Sequence, residues 1–343
     1  SAANTDRDSY YGPGNDPLKA YGKTTDLTAM GGAQYVHTFD KCFFMPSDLT
    51  AGLEYNRDRL KDNMWGYNRH TDQTVNIYSA FLQNEWKNDR WGILIGGRLD
   101  KHNMVDNVIF SPRANLRFNP TQNINLRLSY SSGFRAPQAF DEDMHIENVG
   151  GTVAMIERAK DLKEEKSQSF SVSADMYHRF GAFQTNLLIE GFYTRLTDVF
   201  VLGKPYDRGD GILVKTRSNG PGAKVMGLTL EGKVAYLSIL QIQAGLTLQR
   251  SRYDEPHKWH DDAPAEKKIF RTPDTYGYFT ATCTPIKPLS IALSGTYTGR
   301  MLVQRMDITA ENAELGKMPE RKAEAIRTPR FFDLGVKLAY DFK

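Results

Sequence analysis

Between Asn123 and Ser131 apolar and polar side chains alternate without a break: Ile124, Leu126, Leu128 and Tyr130 against Asn123, Asn125, Arg127, Ser129 and Ser131. A period of two is the mark of a strand with one dry face and one hydrogen-bonding face. The pattern returns in Leu240–Gln249, where Leu240, Ile242, Ala244, Leu246 and Leu248 alternate with polar or small residues. It closes the chain with Leu334, Val336, Leu338, Tyr340 and Phe342. Followed along the sequence, it predicts thirteen strands, over 23–39, 47–58, 72–87, 91–101, 107–119, 122–132, 166–180, 183–200, 222–237, 239–251, 273–286, 288–300 and 328–343. Many exceed the mean globular strand of about 5–6 residues and suit a tilted membrane crossing of about 9–11. The predicted fold class is all-β, a transmembrane antiparallel β-barrel.

The connections sharpen this picture because they alternate in length. Asn88-Asp89-Arg90, Pro120-Thr121, Phe180-Gly181-Ala182, Leu237-Ser238 and Ile286-Lys287-Pro288 are tight turns. At the other ends lie long connections, Asp58–Thr71, Gly133–Glu165, Val201–Pro221, Ser251–Thr272 and Met301–Arg327, with a short link near His102–Asp106 as the exception. Outer-membrane barrels have this asymmetry, with tight periplasmic turns and large extracellular loops. A propeller or sandwich has no reason to gather its long loops at one end. Tyr35, Phe39, Tyr55, Tyr78, Trp86, Trp91, Phe118, Tyr130, Tyr236, Tyr276, Tyr278 and Tyr297 fall mostly toward strand ends, as an aromatic girdle at the membrane interface requires.

Composition alone would mislead. Only 40% of residues are hydrophobic and the mean hydropathy is -0.53, which reads as a water-soluble chain until the polar lumen of a barrel is considered. No run of about 18 apolar residues offers a transmembrane helix. A net charge of +3 is too slight to imply a nucleic-acid partner. Cys42 and Cys283 lie far apart in the chain and read as small residues in or near turns rather than as a disulfide. The opening Ser1-Ala2-Ala3 and the polar stretch after it lack a leader's basic start and apolar core.

Thirteen strands cannot close an antiparallel barrel, so the chain is expected to be part of one, although Ile212–Thr216 admits a further short strand or loop hairpin. On that expectation residues 1–22 are the end of an extracellular loop, with turn chemistry at Tyr10-Tyr11-Gly12-Pro13-Gly14-Asn15, and residues 23–343 are the C-terminal portion of the wall.

Three segments resemble a known family. Ser131-Ser132-Gly133-Phe134-Arg135-Ala136-Pro137 follows a strand and opens the longest loop, as a Gly-Phe-Arg-Ala-Pro run does in TonB-dependent outer-membrane receptors. Asp161-Leu162-Lys163-Glu164-Glu165-Lys166-Ser167 is similar to that family's Asp-Leu-Lys-Pro-Glu stretch, with Glu164 where Pro is usual. Val225–Gly232 is similar to a later strand of the family, and the C-terminal strand fits too, with Lys343 following its aromatic residue. The resemblance implies a barrel of about 22 strands around an internal plug, of which this chain supplies roughly the last thirteen. It further implies a bacterial outer-membrane location, lipid around the wall, and energy-coupled import of a scarce nutrient. That nutrient would be an iron–siderophore, haem, cobalamin or a similar metal chelate. The TonB complex would be engaged through a plug region not recognisable in this sequence. No cofactor is implied.

Candidate ligand contacts lie in the loops. Tyr253, His257, Trp259 and His260, interleaved with Asp254, Glu255, Asp261 and Asp262, combine imidazoles and carboxylates suited to a metal chelate, although the two histidines lack a second pair at structural-zinc spacing. Trp65, Tyr67, Arg69 and His70, with Met64, combine aromatic platforms with cations. His145 stands among Asp141, Glu142, Asp143 and Glu147. Arg135 reads as an anchor for the base of its loop, through hydrogen bonds to carbonyls or carboxylates. Val153, Ile156, Ala159 and Leu162 recur at near-helical spacing and predict a short amphipathic helix. Arg127, Asp175, Glu190, Glu231 and Lys233 are expected to face the lumen. There is no nucleophile–base constellation, phosphate-cradling loop or closed metal motif, so an enzyme is not indicated. The competing reading is a complete smaller barrel acting as a passive porin. A barrel protease or lipase, or an adhesive barrel, is the third.

Overall fold

The alternating segments pair into one long antiparallel sheet. The computed structural model describes residues 1–10, 21–65, 69–139, 147–149, 152–204, 206–209, 213–260, 263–308 and 321–342. From the N-terminus run β1 (Ala2–Tyr10), β2 (Tyr21–Cys42), β3 (Met45–Met64), β4 (Arg69–Lys87), β5 (Trp91–His102), β6 (Ile109–Thr121) and β7 (Ile124–Arg135). Two short strands, β8 (Glu147–Val149) and β9 (Thr152–Arg158), precede the long pair β10 (Glu165–Phe180) and β11 (Phe183–Thr197). Next come β12 (Phe200–Leu202), β13 (Tyr206–Asp207) and β14 (Leu213–Asn219), then β15 (Ala223–Tyr236) and β16 (Leu240–His257). The chain finishes with β17 (Glu266–Lys268), β18 (Thr275–Ile286), β19 (Leu289–Thr298), β20 (Leu302–Ile308), β21 (Arg321–Arg327) and β22 (Phe331–Tyr340).

The wall is β1–β7, β10, β11, β15, β16, β18, β19 and β22, side by side in that order. Each is antiparallel to its neighbour, as in the continuous register from Lys166↔Thr197 to Phe180↔Phe183. The described sheet is open, with β1 and β22 as its edges. All thirteen predicted strands are present.

One strand was not expected. Residues 2–10 pair with β2 from Ala2↔Ala29 to Tyr10↔Tyr21, so this part of the N-terminal segment is strand rather than loop. Asn4, Thr5, Asp6 and Asp8 are all exposed, and with water on both faces no period-two pattern arises to announce the strand. β3 and β4 also run past the expected strands, to Met64 and from Arg69, where Asp62 and Arg69 are buried against each other and break the apolar–polar alternation.

The tight turns are locally determined. Asn88 Oδ1 accepts the amides of Arg90 and Trp91 at 2.9 and 2.7 Å, closing the β4–β5 turn. Gly181 takes φ +60 between β10 and β11, a conformation that costs glycine nothing.

The register gives the wall two unlike faces. On one, Thr229 and Thr247 hydroxyls meet at 3.0 Å, and Ser169 and Thr194 at 3.0 Å. Arg98 there joins Glu54 at 3.2 Å and Asp100 at 2.7 Å. On the other face large apolar side chains lie uncovered, with Leu53 67%, Val172 60% and Leu128 53% exposed. So wide an uncovered apolar surface is a contact surface for lipid. Rings gather at both margins. Trp91 stacks on Phe118 at 4.3 Å and Phe183 lies 4.8 Å from Tyr236 at the tight-turn end. Tyr55 meets Tyr78 at 4.9 Å and Tyr130 meets Phe170 at 4.8 Å nearer the loops. Tyr276 and Tyr278 are corrections to the girdle: their register places them on the polar face, where the Tyr278 hydroxyl donates to Glu231 Oε2 at 2.6 Å.

Above the wall, loop strands form a second sheet in the order β12-β14-β9-β8, with β13 on β14. The helix expected around Val153–Leu162 is replaced over Thr152–Arg158 by β9, which runs parallel to β14 from Leu213↔Ala154 to Arg217↔Arg158. The partner strand supplies the backbone hydrogen bonds a helix would have made internally. Met155 and Val214, paired in register, form its buried centre. The possible hairpin at Ile212–Thr216 corresponds to the antiparallel contact of β13 and β14, Tyr206↔Val214. Cys42 and Cys283 are both free thiols.

Candidate functional site

At the long-loop end a cavity of about 580 Å³ opens between the wall and the loop sheet, reached by Arg69, His70, Pro137, Arg158, Lys160 and Arg208. Arg69 of its lining is held from behind by polar side chains at the strand tips. Asp62 receives the Nε and Nη2 protons of Arg69 at 3.1 and 2.8 Å, and Thr24 Oγ1 donates to its other oxygen at 2.7 Å. All three are buried, which holds β2, β3 and β4 in one arrangement.

The Gly-Phe-Arg-Ala-Pro run reaches the cavity at its last residue, Pro137. Gly133, Phe134 and Arg135 pair with Ser167, Lys166 and Glu165 as the last rungs of β7. The Arg135 guanidinium lies over the Phe200 ring, 5.5 Å from its centroid, at the base of the loops. Ala136 and Pro137 are buried. The Pro137 carbonyl accepts Arg158 Nη1 at 2.9 Å, and the same nitrogen donates to Gln73 Oε1 at 2.9 Å. Gln73 Oε1 also takes the Ala139 amide at 2.8 Å, so strand β4, the motif and the loop sheet meet at one amide side chain. His102, fully buried, accepts the Met104 amide on Nδ1 at 3.0 Å and therefore donates from Nε2 to Gln138 at 3.2 Å, a neutral tautomer fixed by its partners.

The lining carries more positive than negative charge. Among the described residues Arg158, Lys160, Arg208 and Arg69 line it with a single carboxylate, Glu157, which lies 3.8 Å from Arg208. Met155, Ile156 and Leu162 add an apolar patch. An anionic ligand with a partly apolar body fits such a lining.

The candidates from sequence divide. Arg69 and His70 line the cavity with Pro137, and His70 Nδ1 lies 2.9 Å from Asn63 Oδ1. Trp65 is half-exposed at the strand tip. Tyr67 and His145 lie outside the described residues. Tyr253, His257, Trp259 and His260 form a separate local group outside this cavity's lining, with Tyr253–His257 at 5.7 Å and Trp259–His260 at 5.8 Å. β16, at 18 residues, is far longer than a crossing of about 9–11, so its last residues stand clear of the bilayer. Burial there lowers the pKa of the His257 imidazole and so favours its neutral form. Among the described residues no group of three or more His, Cys, Asp or Glu is placed to hold a metal ion. Gln73, Arg158, Lys160 and Arg208 were not singled out from sequence. Arg158 and Lys160 stood inside the expected helix, and Gln73 looked like one more polar residue of an alternating strand.

Comparison with known proteins decides what kind of wall this is. The profile of the family described as "TonB dependent receptor-like, beta-barrel" matches residues 1–343. The chain belongs to this family. No curated protein matches the sequence significantly. Among solved structures it is similar to the siderophore receptor PirA from Acinetobacter baumannii, at 15% identity and TM-score 0.68, covering 100% of this chain and 53% of that one. The ferric enterobactin receptor PfeA of Pseudomonas aeruginosa matches at 17% identity and TM-score 0.70, covering 100% and 51%. The FrpB iron transporter from Neisseria meningitidis matches at 13% identity and TM-score 0.63, covering 94% and 49%. The chain thus spans about half the length of these structures. In a TonB-dependent receptor wall the apolar face meets lipid and the polar face lines the lumen. Register puts Asp175, Glu231 and Lys233 on that polar face, where Gln243 donates to Glu231 at 3.0 Å and Lys233 lies 3.2 Å from it. Tyr177 donates to Asp175 at 2.9 Å, so these carboxylates are already braced within the wall.

Proposed function

We propose that this chain forms the greater part of the wall and outer loops of an outer-membrane receptor that imports an anionic ferric–siderophore chelate, coupled to TonB through a plug. The observation that carries this reading is the basic cavity between the Gly-Phe-Arg-Ala-Pro run and the loop sheet, where Arg158, Lys160 and Arg208 outnumber Glu157. Family membership across the whole chain supports a receptor over a passive porin. The siderophore and iron receptors of the same fold support iron as cargo. Among the chelates suggested by sequence, a net-negative complex suits this lining better than cobalamin or an uncharged chelate.

The test is ligand binding to the full receptor, plug included, followed by tryptophan fluorescence. A ferric tris-catecholate, which is anionic, is expected to bind more tightly than an uncharged ferric trihydroxamate, and to weaken with salt. The triple substitution Arg158→Gln, Lys160→Gln, Arg208→Gln is expected to weaken the catecholate about tenfold or more while leaving the trihydroxamate nearly unchanged. Equal affinity of both chelates, or no effect of the triple substitution, would overturn the proposal.

A further inference from the structure

The apolar face of the wall carries a groove that neither the cavity nor the transport reading uses. Gly191 of β11 lies on that face between Val172 of β10 and Leu228 of β15, in register with both. Having no side chain, it leaves a furrow of about 770 Å³, floored at Gly191 and walled by Phe170, Val172, Leu228 and Leu248. A Cβ built on Gly191 would meet only Val172 Cγ1, at 3.6 Å, so close packing of the wall does not demand glycine here.

Cations crowd the loop-side end of this furrow. Arg250 and Asp274 both line it directly. One rung further toward the loops, register aligns Arg195, Lys224, Arg252 and Lys268 across four adjacent strands. Asp254 neutralises part of this row, 2.8 Å from Lys224 and 3.7 Å from Arg195, and Asp274 pairs with Lys268. Arg250 and Arg252 are both exposed. The level is the membrane's edge: Phe170 and Tyr193, ten positions from Phe180 and Phe183 at the tight-turn end, stand beside the furrow. Ten residues of tilted strand span about the 25 Å height of an outer-membrane apolar band.

We propose that this furrow and its cationic rim bind a phosphorylated, multiply acylated glycolipid of the outer leaflet. One acyl chain lies over Gly191 and the phosphates meet Arg250 and Arg252. An apolar slot running into the bilayer suits a chain, and exposed guanidinium groups that form no ion pair among the described residues suit phosphate at headgroup depth. The long loops mark this end of the wall as the outer one, which selects the outer-leaflet lipid over phospholipid of the inner leaflet.

The two halves of the site are tested separately in the full receptor by native mass spectrometry, with bisphosphorylated hexa-acyl lipid A as probe. Wild-type receptor is expected to retain it about tenfold more than its dephosphorylated form. Arg250→Gln with Arg252→Gln is expected to abolish that preference. Gly191→Leu, which fills the furrow and leaves the cations, is expected to weaken retention of both forms. Heat-modified mobility on gels, which reports the folded barrel, confirms that each variant is assembled. Equal retention of the two lipids by wild type, or folded variants of both kinds behaving as wild type, would overturn the proposal.

Discussion

Replacing Asp62 with Ala is expected to open the β3–β4 tip at a cost of about 3–5 kcal/mol, the range for removing one partner of a buried ion pair. Asp62 and Arg69 side chains are 3% and 10% exposed, and one carboxylate oxygen takes both guanidinium contacts. Alanine removes that acceptor and also strands the Thr24 hydroxyl that bonded the other oxygen. The damage is local because the rest of β3 and β4 keeps its ladder from Ser47↔Trp86 upward. Hydrogen exchange should therefore accelerate at residues 60–64 and 69–73 and stay unchanged near Trp86. Asp62→Asn keeps an acceptor for Thr24 and should lie between wild type and alanine. Because Arg69 also lines the cavity, the alanine variant should lose chelate affinity along with tip protection. A variant with wild-type exchange would mean that the ion pair does not organise the tip.

The second large effect separates the two faces of one strand. Leu230→Arg is expected to destabilise the folded wall by about 2–4 kcal/mol, the range for a cation near the bilayer midplane. Leu230 faces lipid between Ile189 and Leu246 in register, about midway between Tyr236 and the cationic row. Thr229→Arg, one residue away, turns the same cation into the lumen and should cost only the hydroxyl contact with Thr247. Folding into phospholipid vesicles, titrated with urea, reads both. Equal costs for the two substitutions would contradict the assignment of faces.

The wall was legible in sequence wherever its two faces meet different solvents. Ile124–Ser131 and Leu240–Gln249 alternate because one side meets lipid and the other water, and their strands appear where expected. β1 was hidden because water reaches both of its faces, and the tips of β3 and β4 because polar Asp62 and Arg69 are buried where an apolar side chain would have marked the inner face. β9 was misread for a different reason. Its helical spacing is real, but its backbone is satisfied by β14, sixty residues further along in the chain, and no local pattern reveals that pairing. The same distance explains the site. Arg69, His70 and Pro137 were named from their own surroundings, whereas Arg158 becomes important only when the loop sheet carries it onto Gln73 and the Pro137 carbonyl. The Tyr253–His260 cluster shows the converse: density in sequence kept its residues together, but apart from the cavity that gathers the cations.

The most direct test of the account is where the iron sits. Crystals of the full receptor soaked with a ferric tris-catecholate, measured at the iron absorption edge, give its position without any assumption about the ligand's pose. The account predicts a single anomalous peak over the basic cavity, nearer to Arg158 and Arg208 than to any residue of the Tyr253–His260 group. A peak at His257 and His260, with the cavity empty, would contradict it.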